Sequence, residues 1–284
     1  SLALLGKLKP SPELITAARS QQIDFEEMLK NTPFLDSSCL RAFLEIHIEQ
    51  GPHLEAHGCP LGVVEAIRGN VRVKLTAVGE ANHSGTTPRD LRKDAVLALA
   101  ELLSLADQQW ESVLTKQQDL VFTCGVVQTD AAVHAVTRIP DTVTAAIEWR
   151  SVSSDALAGF GTWFSNCALA VGKRRGVQFM FSDQRSTAPA VMGQRLSTHL
   201  MGACDALIPR RCPRMPSGAG HDAAVFAEAG IESAMLFIRN QKGSHNPSED
   251  MRIDDFMLAV DVATQAIRSF ARVERHVREA LANV

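Results

Sequence analysis

Leu44-Glu45-Ile46-His47-Ile48-Glu49-Gln50-Gly51-Pro52 alternates apolar and ionisable residues until Gly-Pro stops the pattern. A period of two residues is that of a β-strand, whose side chains point to opposite faces in turn. The stretch reads as a strand with Leu44, Ile46 and Ile48 on one face and Glu45, His47 and Glu49 on the other. Three ionisable groups on one face suit either a strand open to water or a site. A neutral imidazole between carboxylates is a good zinc ligand, because a carboxylate can fix its tautomer. The pattern alone supports both readings equally.

Working outward, Gly62–Ala66 reads as a strand that Arg68-Gly69-Asn70 breaks, and Val71–Ala77 as a half-buried strand. Ala81–Pro88 is a loop, Asp90–Leu105 a helix, Leu120–Val127 and Thr142–Trp149 strands, Asp155–Lys173 a helix and Val177–Ser182 a strand. Strand, helix, strand, strand, helix, strand is the order of a small α+β domain with its helices on one face of an antiparallel sheet. A loop at Ser182–Ala190 marks a change of composition. After it come a helix at Arg195–Ala206, a small-residue loop at Met215–His221, a buried strand at Ser233–Ile238 and a polar loop at Arg239–Asp250. The last element, Asp254–Leu281, is an amphipathic helix with Phe256, Val260, Ala263, Ile267, Phe270, Val277 and Leu281 in one stripe. Upstream, Pro10–Lys30 reads as helical, with Ser11-Pro12 as its start signal and Glu26-Glu27 on a solvated face.

Composition narrows the function classes. The 284 residues are 45% hydrophobic and 21% charged, which excludes a disordered chain or a fibre. Twenty-nine basic against 32 acidic residues leave a net charge of -3 and no basic stripe for nucleic acid. The most apolar helical stretch, Ala95–Leu105, is interrupted by Glu101 and too short for a bilayer, and the N-terminus lacks the pattern of a signal peptide. The six cysteines form no Cys-x-x-Cys and no compact framework. They read as reduced thiols, which points to the cytoplasm.

Four of the nine histidines, His47, His83, His221 and His245, sit in loops or at strand ends, where function collects on a rigid scaffold. His83 in Ala81-Asn82-His83-Ser84-Gly85-Thr86-Thr87-Pro88 is either an oxyanion donor or a polar turn residue. His221-Asp222, after Ser217-Gly218-Ala219-Gly220, either opens a helix toward an anion or closes a tight turn. His245 in Ser244-His245-Asn246-Pro247-Ser248-Glu249 is either a strand-end ligand or a turn histidine.

In this order the motifs resemble one family. Leu44–Pro52 closely resembles the strand motif of the allantoate amidohydrolase and N-carbamoyl-L-amino-acid hydrolase group of the M20-type metal-dependent amidohydrolases. Ala81–Pro88 with Arg92-Lys93-Asp94-Ala95 resembles its second motif, Met215–Ala223 its third and Ser244–Glu249 its fourth. The resemblance covers essentially the whole chain. It implies an α/β architecture: a partial M20-type catalytic domain, a mixed sheet with helices, at 1–69 and 185–284. Into it is inserted an α+β ferredoxin-like lid and dimerisation domain at 70–184. It implies His47 and His245 as metal ligands, for Zn2+ or Mn2+, two ions per complete site. It implies that His83 stabilises a tetrahedral intermediate in the partner subunit's site and that Arg150 binds the substrate carboxylate. Thr137 and the backbone of Gly218 and Gly220 are the implied substrate contacts. The implied reaction is hydrolysis of a ureido or carbamoyl C–N bond in a small carboxylate by metal-activated water, in a homodimer.

The chain also departs from the family's pattern, which includes a His-x-Asp segment, a bridging Asp and a Glu-Glu pair. No His-x-Asp occurs here, and the one Glu-Glu, Glu26-Glu27, precedes the His47 strand. Two imidazoles cannot hold a two-metal site. The chain, starting at Ser1, is expected to be a fragment of a full enzyme that neither holds the metals nor turns over substrate alone. The alternatives are a short non-catalytic homologue that dimerises or binds carboxylated ligands, and an α/β domain whose motifs are relics. Thr137 stands where the family usually has Asn, keeping a hydroxyl and losing an amide. The catalytic part is expected to be less stable alone than the lid.

Overall fold

The computed structural model describes Leu5, Glu27, residues 39–208 and residues 212–282, with side chains up to His276 in the last helix. The helix expected over Pro10–Lys30 lies outside the described residues, Glu27 apart. In chain order the elements are β1 (Phe43–Ile48), α1 (His53–Ala56), β2 (Leu61–Ile67), β3 (Gly69–Val78), β4 (Asn82–His83), α2 (Ala95–Thr115) and β5 (Val121–Thr129). Then follow β6 (Arg138–Ile139), β7 (Thr142–Ser151), α3 (Ser154–Arg175), β8 (Gln178–Thr187), β9 (Ala190–Val191) and α4 (Gln194–Leu207). The last are β10 (Arg214–Ser217), α5 (Asp222–Glu228), β11 (Ser233–Ile238), β12 (Asn240–Gln241), β13 (Asp250–Met251) and α6 (Ile253–Ala282). They fall into two compact units, one running from Arg68 to Pro189 and the other made of the chain before and after it.

The inserted unit is a four-stranded antiparallel sheet in the order β5-β7-β3-β8. With β3-α2-β5-β7-α3-β8 along the chain, this is the ferredoxin-like arrangement. Val71, Val73, Leu75 and Ala77 of β3 and Val143, Ala145, Ile147 and Trp149 of β7 are buried at alternate positions. They face Leu99 and Leu102 of α2 and Phe160 and Phe164 of α3 in one core. The helix expected from Asp90 starts at Ala95 instead, because the Asp94 side chain accepts the Leu97 N–H (2.9 Å) and so caps it. Helix α3 is capped by Ser153 and ends at Gly176, whose φ of 66° is the left-handed conformation that favours glycine there. The break expected at Arg68-Gly69-Asn70 narrows to Arg68, since Gly69 and Asn70 already pair in β3. Within the expected loop Ala81–Pro88, Asn82 and His83 pair with Ile139 and Arg138.

The other unit is built on a mixed sheet in the order β1-β11-β2-β10, with β9 also on β2. β1 runs parallel to β11, and β10 parallel to β2. Every residue of β11, Ser-Ala-Met-Leu-Phe-Ile, is buried, as expected for a strand covered on both faces. Ala234, Leu236 and Ile238 join α4 and α6 in one core, while Met235 and Phe237 join Leu54 and α5 in another. Two elements of this unit differ from the sequence expectation. Met215–His221 is not wholly loop: β10 reaches Ser217, and Pro216 sits at a register irregularity, where a missing N–H is tolerated. The buried stripe of α6 is Asp255, Ala259, Val262, Ala263, Ala266 and Phe270. Of the expected stripe Ala263 and Phe270 are buried, Phe256, Val260 and Ile267 are exposed, and the side chains of Val277 and Leu281 lie outside the described residues.

Candidate active site

In the sheet unit, β1 carries Glu45 and His47 on one face, as its period requires. Nδ1 of His47 lies 2.7 Å from the carbonyl of Ile48. A carbonyl only accepts, so Nδ1 carries the proton and Nε2 keeps a free lone pair, the form a metal ligand needs. Glu49 does something else: its carboxylate accepts the N–H groups of His53 (2.8 Å) and Leu54 (2.7 Å), capping α1.

His221 joins this face although it was only one of four open candidates in the sequence. Its side chain is 2% exposed, and its ring meets that of His47 edge-on at 4.7 Å. Nδ1 lies 3.7 Å from Oε1 of Glu45, and Nε2 lies 2.8 Å from Oγ of Ser217. The other oxygen of Glu45 accepts the Ala223 N–H at 2.7 Å. Burial pushes the Glu45 carboxyl up, but His221 and the Ala223 N–H outweigh it and hold the group below the usual carboxylate range. Serine, histidine and carboxylate in a row suggest a nucleophilic triad. Burial argues against it: Ser217 is fully buried, and its Oγ also bonds within its own loop, to the Ala219 N–H (3.1 Å). The row instead fastens the Ser217–Gly220 loop to β1. Gly220 needs no glycine for packing, since a Cβ there would meet nothing within 4 Å, so its backbone is left accessible.

His245 lies in the β12–β13 hairpin with φ of 59°, its N–H donating to Oε2 of Glu249 at 2.8 Å. That N–H helps hold the Glu249 carboxyl below its ordinary range. Among the described residues no three His, Cys, Asp or Glu side chains are grouped to hold a metal ion. The donors among the described residues do not complete a site for the implied metals.

In the inserted unit, His83 is exposed at the end of the sheet. Its Nδ1 accepts the Gly85 N–H at 3.1 Å, which leaves the proton of the neutral ring on Nε2. Ser84 N–H donates to the carbonyl of Thr137 at 2.8 Å, so the structure brings His83 and Thr137 together. Arg150 is elsewhere. It pairs across the sheet with Asn70 and Val121, eight residues along β7 from Thr142, the residue at the His83 end. At about 3.4 Å per residue this separates Arg150 from the His83 end by roughly 27 Å. Both Nε (2.8 Å) and Nη2 (2.7 Å) of Arg150 donate to one oxygen of Glu148, whose other oxygen accepts from Arg72 (2.6 Å). Although burial raises it, the two guanidinium groups keep the Glu148 carboxyl low.

The model of the peptidase family M20/M25/M40 matches residues 25–269. The chain belongs to this family. It is 34% identical to allantoate amidohydrolase of Escherichia coli over 241 residues, covering 84% of this chain and 56% of that protein. It is 31% identical to an N-carbamoyl-L-amino-acid amidohydrolase of a Pseudomonas species over 280 residues, covering 94% of this chain and 66% of the relative. An amidase of the hydantoinase/carbamoylase family from Burkholderia multivorans superposes with a TM-score of 0.75 at 25% identity, over 81% of this chain and 55% of that one. The M20 chain described here therefore spans between about half and two-thirds of the length of these proteins.

Proposed function

We propose that this M20 chain carries part of the machinery of a hydrolase that cleaves ureido or carbamoyl C–N bonds in small carboxylates of the allantoate or N-carbamoyl-L-amino-acid type. The observation that carries the reading is the exposed His83, with its proton on Nε2 and its loop tied to Thr137. An N–H presented there can stabilise the oxyanion of a tetrahedral intermediate. Arg150 takes the substrate carboxylate in a charge-assisted fork, oriented meanwhile by Glu148. Thr137 is proposed as a further substrate contact of the inserted unit, and the Gly218–Gly220 backbone as a substrate contact of the sheet unit.

The separation of His83 from Arg150 within the inserted unit exceeds what a small ureido carboxylate spans. A second copy of the chain, joined through the inserted unit acting as a lid and dimerisation domain, is proposed to supply one of the two. His47 and His245 are proposed to offer imidazoles to Zn2+ or Mn2+, two ions in a complete site. Among the described residues no third donor is grouped beside them. That same lack favours a second reading, a chain that binds carboxylates and dimerises without turnover. The six free cysteines support a reducing, cytoplasmic location, and among the described residues no helix is long and apolar enough to cross a membrane.

Titration calorimetry with an N-carbamoyl amino acid tests the reading. Binding is expected, weakened roughly 10- to 100-fold in Arg150→Ala, as the loss of a charge-assisted pair worth about 1.5–3 kcal/mol implies. No binding by the unaltered chain would overturn it. Binding without hydrolysis in the presence of added zinc or manganese would select the second reading.

A further inference from the structure

The segment between β3 and α2 is a closed loop. At its neck Glu80 N–H donates to the carbonyl of Lys93 (2.9 Å), and the Lys93 ammonium meets Glu80 (2.8 Å). Gly79 makes this neck possible: a Cβ there would lie 1.9 Å from the Lys93 carbonyl oxygen. Inside the loop, the half-buried Arg92 reaches back across it. Nε donates to the carbonyl of Thr87 at 2.9 Å, and Nη2 donates to the carbonyl of Ser84. Those two carbonyls bracket Gly85, whose N–H is the donor to Nδ1 of His83. The Thr87 N–H (3.2 Å) and hydroxyl (2.8 Å) in turn bond the His83 carbonyl.

We propose that Arg92 is a positioning residue that sets the tautomer of His83. By gripping the Ser84 and Thr87 carbonyls it holds the turn in the one shape that aims the Gly85 N–H at Nδ1, and so keeps the ring proton on Nε2. Neutral imidazole in water distributes its proton over both nitrogens, and only a fixed neighbour selects one. A planar fork with donors on separate nitrogens spans two carbonyls in a way that an ammonium, a point donor, does not. The role rests on reading His83 as an oxyanion donor through Nε2–H, but the tautomer itself is measurable without turnover.

The test is long-range proton–nitrogen NMR correlation of the histidine rings in the 284-residue chain, at a pH where imidazoles are neutral. His83→Gln assigns the signals of His83. In the unaltered chain its Nδ1 is expected to resonate as bare nitrogen and its Nε2 as protonated. In Arg92→Ala both resonances are expected to move toward the mixed-tautomer average, while tryptophan fluorescence shows the inserted unit still folded. Arg92→Lys, which retains the charge, is expected to shift in the same direction by a smaller amount, and it decides the matter if the alanine variant does not fold. A pure Nε2–H tautomer in a folded Arg92→Lys or Arg92→Ala chain would overturn the proposal. A tautomer that shifts as expected, in a protein whose hydrolysis is indifferent to His83→Gln, would instead leave Arg92 standing and remove the oxyanion role.

Discussion

The two units of this chain solve the problem of a hydrophobic core differently. The inserted unit closes on itself: one antiparallel sheet, two helices on one face and one core joining β3, β7, α2 and α3. The other unit buries its sheet on both faces, yet among the described residues it leaves apolar surface open. Among the described residues β1 pairs only with β11 and shows Ile46 at 38% exposure, and α6 turns Ile253, Phe256, Met257, Val260 and Ile267 outward. Chemistry follows the same division. The inserted unit sets the tautomer of His83 and orients Arg150 with its own residues, whereas the described residues of the sheet unit offer two imidazoles and no third donor grouped with them. A self-contained unit can be tuned internally, while an open one depends on what covers it.

The largest test of that contrast concerns the closed core. All three tryptophans, Trp110, Trp149 and Trp163, belong to the inserted unit, so their fluorescence reports its unfolding alone. Far-UV circular dichroism reports both units. Phe164, 1% exposed, packs against Phe122, Trp149 and Phe160. Phe164→Ala is expected to cost the inserted unit about 3–5 kcal/mol through lost burial and the cavity left behind. In the unaltered chain the dichroism should begin to fall at lower denaturant than the fluorescence. Coincident transitions would mean that the sheet unit is as well closed as its neighbour.

The next effect lies in the sheet unit. Glu45 has a folded pKa below its ordinary value because His221 and the Ala223 N–H outweigh burial. A depressed carboxylate stabilises the fold above its unfolded pKa of about 4.3, and that contribution disappears as pH falls through the lower folded value. Glu45→Gln should therefore flatten the acid side of this unit's stability profile and cost roughly 1–3 kcal/mol near neutrality, where a buried partner loses its acceptor. The tryptophan signal should not respond. If acid stability is unchanged by the substitution, the Glu45–His221 pairing is not a feature of the folded state.

Much of this organisation was legible in the sequence, and the misses have physical causes. β1 was readable because its two faces differ in polarity, and β3 and β7 because one face packs and the other meets water. β11 was readable as a short apolar run bounded by breakers. The family was legible in the four histidine segments through resemblance, not through periodicity. His221 stayed ambiguous because its meaning lies in Glu45, 176 positions earlier in the chain, and no local pattern reports that contact. β10 was missed because Pro216, Ser217 and Gly218 are turn formers by local preference, and only the parallel neighbour β2 overrides it. The α6 stripe held at Ala263 and Phe270 but not at Phe256, Val260 and Ile267, for a different reason. Its large apolar residues recur at spacings of three and four, as a core face should, but the face that packs is lined with alanine.

A smaller effect returns to the inserted unit. Gly176 ends α3 at φ of 66°, and its missing Cβ would approach Lys93 Cγ at 3.2 Å. Gly176→Ala is expected to lower stability by about 1–2 kcal/mol, the cost of a left-handed L-residue, and the midpoint of the fluorescence transition should record it. A loss well above this would mean that the Lys93 stem cannot give way, so the helix end and the His83 loop are mechanically linked.

The smallest effect is the most telling about the open unit. Ile267 is 50% exposed on the outer face of α6, whereas Val262 is fully buried on the inner one. If the outer face meets solvent, Ile267→Glu removes apolar surface that was never buried and changes stability by no more than about 0.5 kcal/mol, while solubility improves. Val262→Glu places a charge in the core shared with α4 and β11 and should unfold the unit outright. A cost of roughly 2 kcal/mol or more for Ile267→Glu, at the level of burying an unpaired charge, would mean that this face is covered in solution. Repeating the measurement across a range of protein concentrations then separates the two ways of covering it. A cost that vanishes on dilution identifies a second copy of the chain on α6. A cost independent of concentration identifies an intramolecular cover, and with it a sheet unit as closed as the inserted one.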